Sequence, residues 1–89
     1  MHPKIPAGIV KGTIVVAGRK TGISLEEAFW NGLREIANAR GLRPRDLVTR
    51  INADRRDGNL SSAVRVFVLQ FYQEEADRAI LARGSEAHV

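Results

Sequence analysis

The segment Lys20-Thr21-Gly22-Ile23-Ser24-Leu25 alternates in polarity and runs without a break into a helical pattern. Alternation places Thr21, Ile23 and Leu25 on one face of a strand and Lys20, Gly22 and Ser24 on the other. Such a strand needs a ladder partner and an apolar layer beneath it, because an isolated strand or hairpin is marginal in water. The preceding run Gly12-Thr13-Ile14-Val15-Val16-Ala17 is rich in β-branched residues and stops at Gly18, which reads as a second short strand ending in a turn or bulge. The pattern leaves open whether the two runs form a hairpin, one bent strand, or a strand with an ordered arm.

Beyond Leu25 the period becomes helical. Ser24 stands three residues before Glu27 as in a capping box, and Glu26 and Glu27 suit a helix N-terminus. Phe29, Leu33, Ile36 and Ala37 form an apolar stripe with Trp30 at its border, and Arg40-Gly41 is a stop, so a helix is predicted over 25–40. Pro44 opens a second helix over about 44–55, with Leu47, Val48 and Ile51 on one side. After the break at Asp57-Gly58, Asn59 caps a third helix over about 60–82, whose stripe is Leu60, Ala63, Val64, Phe67, Val68 and Phe71. Residues 1–10 are read as a flexible arm, 11–82 as the domain, and 83–89 as a frayed tail.

Eighty-nine residues make one domain with a modest core, for which association with a second copy is an expected source of stability. Without cysteine the chain has no disulfide, no thiolate metal ligand and no cysteine nucleophile. The N-terminus lacks the apolar core of a secretory signal, and no apolar run approaches the roughly 20 residues of a bilayer span. A soluble, unexported, cytoplasmic protein with no membrane partner is therefore expected. Charge is segregated: residues 1–25 hold Lys4, Lys11, Arg19 and Lys20 and no acid. Residues 40–56 set six arginines against Asp46 and Asp54, a net +4, whereas residues 66–89 carry a net −2. This polarity suits one face to a polyanion.

The runs T-G-I-S-L-E at 21–26, F-W at 29–30, L at 33, I-A at 36–37 and N-L-S-S-A-V-R-V-F-V-L at 59–69 resemble the short bacterial ribbon-helix-helix domain proteins, of the Arc repressor type. The resemblance covers about residues 11–73. It implies a mainly helical homodimer with a short N-terminal ribbon, one strand from each protomer, and an additional long C-terminal helix. It also implies sequence-specific binding of double-stranded DNA through that ribbon, as a transcriptional regulator and repressor without a cofactor. Carried onto this chain, Lys20, Gly22 and Ser24 face base edges, joined by Arg19. Gly22 departs from the usual polar residue and has no side chain to read a base. Arg43 and Arg45, flanking Pro44 at a helix start, would hold phosphates and fix register. Ile23, Leu25, Phe29, Leu33, Ile36, Leu47, Val48 and Ile51 would form a core shared by the dimer. Arg65 is read as a structural cation or an interface partner, and Arg55 and Arg56 as partners of a helix C-terminus.

Two other readings compete. The ribbon dimer could be the scaffold of an antitoxin or adaptor whose acidic C-terminal segment binds a protein partner. A helix-turn-helix monomer reading DNA with the third helix ranks lower, because Val64, Val66, Phe67, Val68 and Leu69 are too apolar for a groove-facing helix. No catalytic or metal site is expected: His2 and His88 sit near opposite ends, and Glu26-Glu27 and Glu74-Glu75 are sequence neighbours on helices that point apart.

Overall fold

The structure, a computed structural model, describes residues 8–54 and 59–87. Strand β1 (Ile9–Val16) and strand β2 (Arg19–Glu26) pair antiparallel as a hairpin, followed by helices α1 (Glu27–Ala39), α2 (Pro44–Asp54) and α3 (Leu60–Ala87). The turn between the strands is Ala17-Gly18, with φ of 53° and 79°. Two consecutive positive φ values are those of a type I′ turn, whose twist matches that of the strands. The register runs from Val16↔Arg19 through Thr13↔Gly22 to Ile9↔Glu26.

Within the chain the ladder partner of β2 is β1, so the run at 12–17, left open by its pattern, is the other strand of a hairpin. The physical reason is the two-residue turn, which brings the strands together at a small loop-closure cost. The ribbon also begins at Ile9, so Ile9 and Val10, assigned to the arm, are part of it.

Alternation puts Val10, Gly12, Ile14 and Val16 of β1 on the same face as Thr21, Ile23 and Leu25 of β2. That face lies on the helices: β2 packs against α1 and α3, and β1 against α2. Ile23, Leu25, Leu33, Ile36, Leu47, Val48 and Val64 are fully buried, joined by Val16, Trp30, Ala37, Ile51, Leu60 and Val68. Seven of the eight residues expected to form a dimer core are thus buried within one protomer, and Phe29 is half-buried at the margin. The covering expected from a twin is supplied by β1 and α3. Trp30, expected at the border of the stripe, is instead in the core, its indole N–H donating to the Val10 carbonyl at 2.8 Å.

Helix α1 ends as its sequence predicts. Gly41 has φ of 68°, the Leu42 N–H donates to the Ala37 carbonyl at 2.8 Å, and the Gly41 N–H to the Asn38 carbonyl at 3.1 Å. These are the two bonds of a Schellman motif. Its start differs: the helix begins at Glu27, with Glu26 as N-cap and no side-chain cap bond. Ser24 remains in β2, so the expected capping box does not form. The Glu27 N–H donates instead to the Gly8 carbonyl at 2.8 Å, which extends the hairpin ladder into the first turn. Asn59 caps α3 as expected, its side-chain oxygen accepting the Ser62 N–H at 2.7 Å. Helix α3 continues through Ala87, past the expected end at 82, because 83–87 hold no proline and Gly84 alone does not stop it. Its first three turns pack on the body, whereas residues 73–83 are all exposed. Arg55, Arg56, His2 and His88 lie outside the described residues.

Candidate nucleic-acid interface

The outer face of the hairpin follows from its register. Lys11, Thr13 and Val15 of β1 lie opposite Ser24, Gly22 and Lys20 of β2, all turned away from the core. Lys20 and Gly22 are exposed and Ser24 is half-buried. The sequence reading placed these three on one face, and the structure does the same. It did not include Lys11 and Thr13, because their place on that face depends on the hairpin register. An Ala-Gly turn is a weaker hairpin signal than Asn-Gly or Asp-Gly, so the register was not legible.

Gly22 leaves a gap that Lys11 fills: a Cβ built on Gly22 would stand 3.3 Å from the Lys11 Cε. The lysine stem lies across the position where a family side chain is usual. Arg19, by contrast, belongs to the opposite face by alternation, exposed at the tip beside the turn. Thr21 is half-buried on that same inner face, and its hydroxyl donates to the Arg19 carbonyl at 3.3 Å.

The carboxylate of Glu26 at the far end of this face is neutralised. Arg65 Nε sits 2.7 Å from Glu26 Oε1, and a second guanidinium nitrogen donates to the Ser24 carbonyl at 3.2 Å. The Arg65 hydrogen bond holds the Glu26 carboxyl below the ordinary carboxylate value of 4.5. Ser61 Oγ accepts the Ser24 N–H at 3.0 Å. Ser24 is therefore bound through its main chain to α3, which fixes β2 on the body and leaves the hydroxyl as its contribution to the outer face. In the alternating pattern set by the Glu27–Gly8 bond, the backbone groups of Lys20, Gly22 and Ser24 point away from β1; those of Ser24 are taken up by α3, and those of Lys20 and Gly22 are not. This is the open edge of the ribbon.

Arg43 and Arg45 are exposed at the start of α2. The Arg43 carbonyl accepts the N–H groups of Asp46 and Leu47 at 3.0 and 3.1 Å, which closes the first turn. Both arginines border one groove with Thr13 of β1, so the second basic zone adjoins the ribbon. Neither forms an ion pair among the described residues. Among those residues there is no cluster of three or more metal-ligating side chains, and no helix is long and apolar enough to cross a membrane.

A family model described as a ribbon-helix-helix domain matches residues 9–72. The chain belongs to the ribbon-helix-helix domain family. Domains of this family generally pair and bind DNA, in regulators or antitoxins. The matched residues take in both strands, α1, α2 and the first turns of α3. The fold is similar to that of an uncharacterized protein from Bordetella pertussis Tohama I, with a TM-score of 0.71 and 26% sequence identity. The match covers 81% of this chain and 62% of that one, so the chain spans less than two thirds of that protein's length. No curated protein matches the chain.

Proposed function

We propose that this ribbon-helix-helix protein is a sequence-specific DNA-binding regulator, a repressor of transcription, that lays the outer face of its hairpin in the major groove as a cytoplasmic homodimer without catalytic activity or cofactor. One observation carries the reading: the register gathers Lys11, Thr13, Lys20 and Ser24 on one solvent-facing side of a two-stranded ribbon. A two-stranded ribbon fits a B-DNA major groove, lysines donate to guanine O6 and N7, and hydroxyls serve either base class. Lys11, stretched over Gly22, takes the reading position that Gly22 leaves empty. Arg43 and Arg45 hold the flanking phosphates, which positions the ribbon without reading sequence. A twin is accommodated by the face of α3 bearing Val66 and Leu69, each about half exposed.

Selection from a pool of random duplexes at two salt concentrations tests this reading. Wild type is expected to enrich one sequence, with dyad symmetry. Lys20→Ala and Lys11→Ala should each lose roughly 1–3 kcal/mol on that sequence, whereas Arg43→Ala should weaken all duplexes and flatten the salt slope by about one unit. Absence of enrichment, with all variants binding like wild type, would reject it.

A second reading, an antitoxin or adaptor, is favoured by the exposed acidic stretch of α3 at Glu74, Glu75 and Asp77. A neighbouring gene for a small basic toxin, together with failure of the duplex selection, would move the assignment there.

A further inference from the structure

Between β1 and the start of α2 runs a groove of about 530 Å³, within the roughly 300–1,000 Å³ of small-molecule sites. Its apolar lining is Val10, Ile14, Trp30 and Pro44. The one polar atom of the indole is already bonded to the Val10 carbonyl. Gly12 lets the indole lie directly against β1 as the groove's floor, since a Cβ there would come within 2.8 Å of the Trp30 ring. A phosphate clamp alone has no need of such a floor, and the sugar-phosphate backbone of a duplex has nothing apolar of that size to fill it.

The charged lining is entirely cationic: Arg34, Arg43 and Arg45, with no carboxylate. None of the three forms an ion pair among the described residues. Arg34 lies 5.9 Å from the Trp30 ring centroid and donates to Asn31 Oδ1 at 3.0 Å, which places a cation beside the apolar wall. Apolar floor and cationic rim together complement one ligand chemistry, a small molecule with a hydrocarbon body and an anionic head.

We propose that this groove binds an amphipathic carboxylate, its hydrocarbon part against Trp30 and Ile14 and its carboxylate on Arg43 and Arg45. One consequence rests on the DNA reading: a carboxylate held there occupies donors that a DNA phosphate uses, so the ligand releases the protein from its operator. The site itself stands apart from that reading and is tested without DNA.

Trp30 is the chain's single tryptophan and a direct reporter. The full chain is titrated at neutral pH and constant ionic strength with octanoate below its micellar concentration, with octanamide, and with inorganic phosphate, following Trp30 emission. Octanoate is expected to give a saturable single-site change, with octanamide about tenfold weaker and phosphate unable to reproduce it. The double variant Arg43→Ala, Arg45→Ala, both positions exposed, should melt like wild type and lose about tenfold in octanoate affinity while octanamide is unchanged. Equal binding of octanoate and octanamide would reduce the groove to an adsorbing apolar patch and overturn the proposal. Competition by phosphate at equal strength would leave a phosphate clamp alone, overturning the proposal while the DNA reading survives. A Trp30 signal that changes with protein concentration and not with octanoate would assign the groove to a second copy of the chain, and also overturn it.

Discussion

Gly32 shows how much one atom decides where α1 crosses α3. A Cβ on this residue would stand 2.8 Å from Val68 Cγ1 and 3.3 Å from Tyr72 Cε2. Alanine normally stabilises a helix interior by about 1 kcal/mol over glycine. Here the overpacking cost, about 1–3 kcal/mol, wins, because Val68 is a buried β-branched side chain with few rotamers to retreat into. Gly32→Ala is therefore expected to lower the unfolding free energy in urea denaturation. Two titrating groups give further expectations at this scale. The Glu26 carboxyl is held below 4.5 by Arg65, so its contribution is complete above that value and is lost as pH falls through the lower folded value. Melting temperature should drop on acidification below the ordinary carboxylate range, and Glu26→Gln should flatten that part of the profile. The hydroxyl of Tyr72, the chain's single tyrosine, donates to Glu35 Oε2 at 2.6 Å, and that bond raises its pKa to about 12. Its ultraviolet titration should show a midpoint near 12, falling toward 10 in Glu35→Gln, with stability lost between those values as pH rises.

Among the elements, the hairpin is least favoured by its own turn residues. Ala17 holds a φ of 53°, a left-handed conformation that costs a residue bearing a Cβ about 1–2 kcal/mol. Ala17→Asn, which restores an Asn-Gly type I′ turn, is expected to stabilise the chain by about 0.5–1 kcal/mol, read as a rise in the urea midpoint. The same residue explains why the strand pairing was not legible. Ala-Gly does not announce a turn, and the runs at 12–17 and 20–25 fit a hairpin and a bent strand equally well. The helix ends were legible because their chemistry is local: Gly41 after Arg40, Pro44 at a first turn, and Asn59 as a cap each act within one turn. Ser24 and Glu27 carried the same kind of signal and did not make the cap, because Ser61 and Arg65, far along the chain, bind the Ser24 main chain and keep it in the strand.

At the scale of the whole molecule, the protomer closes its own core and still leaves surface for a twin. Residues 73–83 of α3 cover nothing in their own protomer, and the long dimension of the molecule reaches 54 Å. Removing residues 74–89 is expected to keep the unfolding midpoint and a two-chain mass in sedimentation equilibrium. Val66→Glu with Leu69→Glu should give a one-chain mass with the hairpin intact by circular dichroism, since both positions are exposed in the protomer. The amino-acid sequence by itself determined the three helices, the polar face of β2 and the two basic zones, because helix periods, caps and strand alternation depend on neighbours within a few residues. Only the tertiary structure decided that β1 completes the ribbon, that Lys11 lies over Gly22, that Trp30 is core, and that Arg43 and Arg45 stand beside Thr13. Each of these is a contact between distant parts of the chain, set by strand register and by which apolar face covers which, and a local pattern carries no record of either.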